Sequence, residues 1–250
     1  MLLTNKKPTN WKMLQDYVAK YFNEAGYSAT TPKNIELSRG EAEIDVYVET
    51  NDNMNNIILC ECKYWSSNIP QEKIHAFRTI VTDSGANLGL FITTRDFQIG
   101  AQNAALYSNI KLVTWDEFLN LIKERWIVNK YLFLCNLAKP LSIYTDPFDI
   151  DSEMLSKEQL EIYNKEVINH ILMTIIFHQC HCSISSNNGI DYNSLLKYLE
   201  SKITSLNQKE YNFTSIEDFF EYAERSIKSS ILFFENLFGD YALELNKKIF

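Results

Sequence analysis

Two short apolar runs, residues 44–49 and 57–63, constrain this chain more than any other feature in it. Side chains of an extended segment alternate between faces, so Ile57, Leu59, Glu61 and Lys63 share one face and Ile58, Cys60 and Cys62 the other. Residues 50–56 between the runs are rich in Asn and Asp, which tolerate turn conformations, and this predicts an antiparallel hairpin. Centred on Asn53, that hairpin sets Asp45 opposite Glu61, and pairs Ile44 with Cys62, Val46 with Cys60 and Val48 with Ile58, which keeps the apolar set together. Like charges facing each other across a ladder are destabilising. Two acids in that position therefore predict a neutralising partner, either Lys63 or a hard divalent cation such as magnesium, which favours carboxylate oxygens and water. Without metal, the pair should raise the pKa of one carboxylate, and Asp45→Asn should stabilise the protein.

At 250 residues, with 46% hydrophobic and 13% aromatic content, the chain has ample material for buried cores in one or two domains. No run approaches the roughly 18 apolar residues of a membrane span, and Met1-Leu2-Leu3 gives way at once to polar residues, so a cytoplasmic protein without membrane association is expected. Five cysteines, Cys60, Cys62, Cys135, Cys180 and Cys182, read as reduced thiols. The net charge of −8 argues against a protein that coats nucleic acid. Its distribution is uneven: residues 1–126 carry 13 basic against 15 acidic side chains, and residues 127–250 carry 11 against 17. The acidic second part makes a poor DNA clamp.

Helical spacing of Trp11, Leu14, Val18, Tyr21 and Phe22 predicts a first helix capped by Thr9 or Asn10 and stopped at Gly26. Strands are expected at 34–37, 43–49 and 57–63. A helix opened by Pro70 and running to about Asp83 comes next, then a strand at 88–93, a helix at 97–107, a strand at 110–114 and a helix from Trp115 to about Trp126. The later alternation implies parallel crossovers, hence an α/β fold with a mixed sheet flanked by helices. Beyond it, the prolines at 140 and 147 mark a connector over 127–150, and residues 158–182 and 215–250 show helical apolar spacing. The expected organisation is an α/β domain over 1–126, a connector, and an all-helical domain over 151–250. Ile162, Val167, Ile168, Ile171, Leu172, Ile175 and Ile176 suit a buried helix. The aromatic-rich stretch from Phe219 to Phe238 is broader than one stripe needs, and serves either its own core or an oligomer or partner interface.

The order and spacing of several segments carry a family likeness. Arg39-Gly40-Glu41-Ala42-Glu43-Ile44-Asp45, then Cys60-Glu61-Cys62-Lys63-Tyr64-Trp65, then Pro70-Gln71 through His75-Ala76-Phe77-Arg78, then Leu90-Phe91-Ile92-Thr93-Thr94 and Phe97-Gln98-Ile99-Gly100-Ala101 follow one another. Over roughly residues 10–125 this resembles the Mrr-like restriction endonucleases of the PD-(D/E)xK superfamily. The resemblance implies a restriction-endonuclease-like fold in which Asp45 and Glu61 bind magnesium, with manganese as a substitute, and Lys63 orients or activates the attacking water. Many relatives place a further glutamate on the first helix, at the position that falls here on Gln15.

The chemistry expected is hydrolysis of a DNA phosphodiester by a magnesium-dependent endonuclease, in restriction or phage defence. Lys63 would stabilise developing charge. Glu43 is a salt-bridge partner for Lys63 or a ligand, and Gln71 either supports the cluster or is a solvated first-turn residue. Trp65, Ser66, Ser67 and Asn68 follow Lys63 and offer an aromatic and small donors to a nucleic acid backbone, or simply form a packed loop. His178, Cys180, His181 and Cys182 are soft-metal ligand types, at a spacing unlike a closed zinc site. Two alternatives remain: the same centre acting on RNA, and a non-catalytic interaction module keeping the nuclease fold. The helical domain would serve recognition, assembly as a homo-oligomer, or contact with a defence-system partner.

Overall fold

The structure, a computed structural model, describes all residues except 51–55, 187–188, 210 and 249–250, and the side chains of Cys182, Ser183 and Ser186. The centre of the hairpin turn predicted at Asn53 lies outside the described residues. The chain forms two compact units, an α/β unit over Asn5–Asn129 and a helical unit of Met1–Thr4 with Lys130–Phe250.

The α/β unit opens with α1 (Trp11–Glu24), capped by the Asn10 side chain, which accepts from the Met13 amide at 2.8 Å. Gly26 follows with φ of +82°, where a side chain would be strained. Then come β1 (Ser28–Thr30), β2 (Lys33–Leu37), β3 (Gly40–Ile44), β4 (Val46–Glu49), β5 (Ile57–Lys63), α2 (Gln71–Ser84), β6 (Leu88–Thr93), α3 (Ile99–Ala105), β7 (Ile110–Thr114) and α4 (Trp115–Leu137). The main sheet has the order β1-β4-β5-β6-β7, with β4 antiparallel to both β1 and β5 and with β5, β6 and β7 mutually parallel. This is the mixed sheet flanked by helices that the alternation predicts.

The β4–β5 register agrees with the hydrophobic pattern: Val46 pairs with Cys60 and Val48 with Ile58. Leu59, Phe91 and Ile110 pack with Ile74, Phe77 and Val81 of α2 and Ala101 and Ala104 of α3. The alternate residues Val46, Val48, Cys60, Cys62, Leu90, Ile92 and Val113 are buried as well. Rings of α1 meet those of α4, Tyr21 lying 5.9 Å from Trp115 and Phe22 5.5 Å from Phe118.

Several features depart from expectation. The strand expected over 43–49 is two, because the chain changes sheets at Asp45: β3 pairs with β2 in a separate ribbon, while β4 joins the main sheet. The short β1, not expected at all, supplies the other edge for β4, and the Asn23 side chain brackets it through both polar groups of Ala29. Helix α4 runs past Trp126 to Leu137, since no Gly or Pro interrupts it, and Pro140 sits in the first turn of α5 (Lys139–Tyr144) instead of breaking the chain.

A 3₁₀ turn (Ser152–Met154) then precedes α6 (Lys157–Thr174), which passes through a π-helical turn (Ile175–Gln179) into α7 (His181–Ile184). The helical unit is not wholly helical, for β8 (Ser185–Ser186) and β9 (Gly189–Ile190) form a small ribbon, with Gly189 at φ of +124°. Helix α8 (Tyr192–Asn207), unforeseen, buries Leu195, Leu199, Ile203 and Leu206 at helical spacing behind an Asp191 cap. Helices α9 (Ile216–Phe238) and α10 (Asp240–Asn246) divide at Gly239. Phe219, Phe220, Phe234 and Phe238 are buried in this unit's own core, which accounts for the aromatic breadth of the stretch. Ile162, Ile168 and Leu172 are exposed, against the expectation of a buried helix, because α6 turns only one face inward, with Tyr163 and Met173 on it. No helix among the described residues is long and apolar enough to cross a membrane.

Candidate active site

Asp45 occupies the bend where the chain leaves the β2–β3 ribbon for the main sheet. One carboxylate oxygen, Oδ1, accepts from the Gln15 amide Nε2 at 2.7 Å, and the other, Oδ2, accepts from the Cys62 backbone N–H at 2.7 Å. The Asp45 carbonyl accepts from the Thr31 hydroxyl at 2.7 Å, which holds the bend itself. Thus α1, the β1–β2 connection and β5 all fix one aspartate. Gln15 is 7% exposed, so its amide is committed to this contact.

Glu61 and Lys63 project from the same face of β5, as period two requires. The Lys63 ammonium contacts the Glu61 carboxylate and lies 3.5 Å from Asp45 Oδ2. One cation therefore bridges both acids, so the bare repulsion expected of them is offset, and the motive for expecting Asp45→Asn to stabilise the protein is lost. Burial raises the Glu61 pKa above the usual carboxylate range, Lys63 works against that shift, and Asp45 adds to it. Burial alone would lower the Lys63 pKa, but Glu61 and Asp45 raise it overall, so the ammonium stays charged. The three side chains keep 18–23% of their surface exposed, enough for a ligand to reach them. The Lys63 carbonyl accepts from the Thr93 hydroxyl at 3.1 Å and the Thr94 amide at 3.3 Å, pinning the backbone beneath the ammonium.

The structure thus brings together Gln15, Asp45, Glu61 and Lys63. It leaves Glu43 outside: the switch of sheets carries that residue onto the exposed β3, opposite Asn34, and it forms no ion pair among the described residues. Gln71 is also apart, its amide bonded to His75 Nε2 at 2.9 Å and its side chain laid against Gly100. The buried thiols of Cys60 and Cys62 have pKa values raised far above the ordinary range by desolvation, so they stay protonated behind the cluster. No group of three or more metal-ligating His, Cys, Asp or Glu side chains occurs among the described residues. Cys182, the last member of the soft-ligand set, has its side chain outside them.

Trp65 is half-buried against the core, with the Lys73 ammonium 5.9 Å above its ring, while Ser66, Ser67 and Asn68 are exposed. Trp65 and Ser66 line a cleft of about 520 Å³ together with Lys7, Pro8, Tyr64, Thr94, Arg95, Trp115 and Asp116. Apart from Trp65 and Ser66, none of these was expected from the sequence; their common signal is position, most of them directly following β5, β6 or β7.

The Mrr_cat family model, described as a restriction endonuclease, matches residues 7–122. No curated protein matches the chain. Among solved structures, the chain is similar to a protein of unknown function, at 16% identity and a TM-score of 0.40 over 91% of this chain and 100% of that one. It is also similar to a repair endonuclease from Pyrococcus abyssi, at 13% identity and a TM-score of 0.31 over 45% of this chain and 50% of that one. A third is the MspJI restriction endonuclease, at 19% identity and a TM-score of 0.30 over 47% of this chain and 28% of that one. The family model covers the same stretch as the quoted segments, so residues 7–122 are similar to the Mrr_cat restriction endonucleases, as the resemblance implies.

Proposed function

We propose that the protein is a metal-dependent DNA endonuclease acting in restriction or phage defence, with Asp45, Glu61 and Lys63 as its catalytic group. The observation that carries this reading is the convergence of those three side chains at the bend, around one positive charge. The donor set suits magnesium. Two carboxylates already share a cation, and this ion takes one or two carboxylates and completes its shell with water. Asp45 and Glu61 would hold it, and when bound it supplies Lewis-acid polarisation of a phosphoryl oxygen and acidifies water. Gln15 and the Cys62 amide hold the Asp45 carboxylate in one orientation. Lys63 presents a fixed positive charge where negative charge builds on the phosphate.

Supercoiled plasmid incubated with the full chain and magnesium tests the reading. Nicking or linearisation by the parent, and none by Lys63→Ala or in excess EDTA, is the expected result. Undiminished cutting in EDTA would remove the metal from the mechanism, and no cutting by the parent of duplex DNA, single-stranded DNA or RNA would favour the non-catalytic module. Preferential cutting of structured RNA would favour the ribonuclease alternative.

A further inference from the structure

The cleft beside Lys63 lies at the carboxyl ends of the three parallel strands. Tyr64, Trp65 and Ser66 follow β5, Thr94 and Arg95 follow β6, and Trp115 and Asp116 follow β7. In open α/β sheets this end is where ligands bind, because the backbone leaves each strand there and the connections splay apart. Its volume of about 520 Å³ falls within the range of small-molecule pockets, so its concavity suits a single base and not the convex surface of a duplex.

Its chemistry is that of a nucleotide. Lys7 and Arg95 are exposed at its wall, and neither forms an ion pair among the described residues. Asp116 offsets one of these two cations and leaves the cleft with a net positive charge, in a chain whose formal net charge is −8. Tyr64 is 40% exposed and offers a ring for stacking, whereas Trp115, at 5%, is a core residue. Unpaired cations beside an available aromatic ring are the combination that binds a single strand, phosphates going to the cations and bases to the ring. Tyr64 directly follows Lys63, and the Thr94 amide donates to the Lys63 carbonyl, so the cleft begins at the residue after Lys63 and shares a contact with its backbone.

We infer that this cleft takes an unpaired nucleotide adjoining the scissile phosphate of a DNA strand, with Lys7 and Arg95 holding phosphate and Tyr64 stacking on the base. The inference rests on the nuclease reading for its substrate and adds a preference for unpaired over fully paired DNA at that position.

The test measures binding in EDTA, where cutting plays no part, using the full chain with a 2-aminopurine-labelled DNA strand and a fully paired duplex of the same sequence. Variants are Lys7→Gln, Arg95→Gln and Tyr64→Leu, with Lys111→Gln, an exposed lysine outside the cleft, as control. The parent should prefer the unpaired strand and quench its fluorescence. Tyr64→Leu should weaken that binding roughly tenfold and remove the quenching. Each cation variant should lower the slope of log affinity against log salt by about 0.7, one phosphate contact on a single strand. Equal affinity for strand and duplex, unchanged binding in all three variants, or an equal loss with Lys111→Gln would overturn the inference. A tighter fit for the matching RNA strand would overturn the choice of DNA. Plasmid cutting measured in parallel separates the two readings. A parent that cuts while its variants bind normally sinks only the cleft, and a parent that binds with these dependences but never cuts sinks only the nuclease.

Discussion

Gln15 stands where a further acid is found in many of the proteins this chain resembles, and its geometry gives the neutral residue a role. Its amide donates to an Asp45 oxygen that, in the absence of metal, has no other hydrogen-bond donor in the described structure. Replacing it with Leu removes that donor from a largely buried carboxylate, a loss worth about 1–3 kcal/mol. Gln15→Glu sets carboxylate against carboxylate and should cost at least as much without metal. Because an ion binding the folded state stabilises it by mass action, magnesium should recover more of the loss in Gln15→Glu than in Gln15→Leu. Melting curves in EDTA and in millimolar magnesium check this. Identical curves for parent and both variants would show the contact to be idle. The acids and the lysine were legible in the sequence through the period-two register of the two runs, and Gln15 through the resemblance alone. The Cys62 amide was not, since a backbone donor has no residue-type signature.

At the scale of elements, two contacts decide where the helices and the ribbon sit. Gly89 on β6 faces α2 and β7: a Cβ there would lie 2.7 Å from Val81 Cγ2, 2.9 Å from Phe77 Cε1 and closer still to Ile110. Gly89→Ala should therefore push α2 off the sheet and cost about 1–3 kcal/mol by overpacking, measured by denaturant unfolding. The second contact ties the β2–β3 ribbon to α2 through Arg39, whose guanidinium donates to both Asp83 oxygens at 2.8 and 3.0 Å. Hydrogen bonding to Arg39 holds the Asp83 pKa below its ordinary value. A carboxylate with a depressed folded-state pKa contributes stability above its unfolded pKa and loses it as pH falls through the folded value. The melting temperature of Arg39→Met should thus lie below the parent's at pH 7, with the gap closing below about pH 4, where carboxylates protonate. A gap independent of pH would mean that Arg39 acts by packing alone. The split of the strand over 43–49 belongs to this scale too. Its pattern reads as one alternating run, and only the competition between β2 and β5 for different halves of it breaks the chain at Asp45.

For the whole molecule, the division at residues 129 and 130 runs within α4, and Met1–Thr4 groups with the distant C-terminal half. The Leu2 and Leu3 carbonyls accept from the Ile216 and Glu217 amides at 3.0 and 2.9 Å, at the start of α9, and Leu3 is buried. Deleting residues 1–4 should destabilise the helical unit by about 2–4 kcal/mol, from two lost backbone hydrogen bonds and one buried leucine, while the α/β unit keeps its unfolding transition. Hydrogen exchange resolved by segment distinguishes the two, and equal loss of protection in both units would refute the assignment of the N-terminus. A sequence reading that runs from one end to the other gives these four residues to the first domain. Nothing local in Met1-Leu2-Leu3-Thr4 says otherwise.

What the sequence by itself determined is what repeats locally. The period-two runs set the β4–β5 register, the 3.6-residue stripes set α1 and α2, and together they place Asp45, Glu61 and Lys63 within reach of one another. The tertiary structure alone decided which segment completes each local pattern. It moved Glu43 away by pairing β3 with β2, gathered Tyr64, Arg95 and Trp115 from three strand ends into one cleft, and buried the aromatics of α9 in their own unit. The physical reason is range. Periodicity and turn chemistry act over a few residues, whereas strand exchange, strand-end clefts and partner faces depend on contacts between segments tens to hundreds of residues apart, for which no local pattern carries a signal.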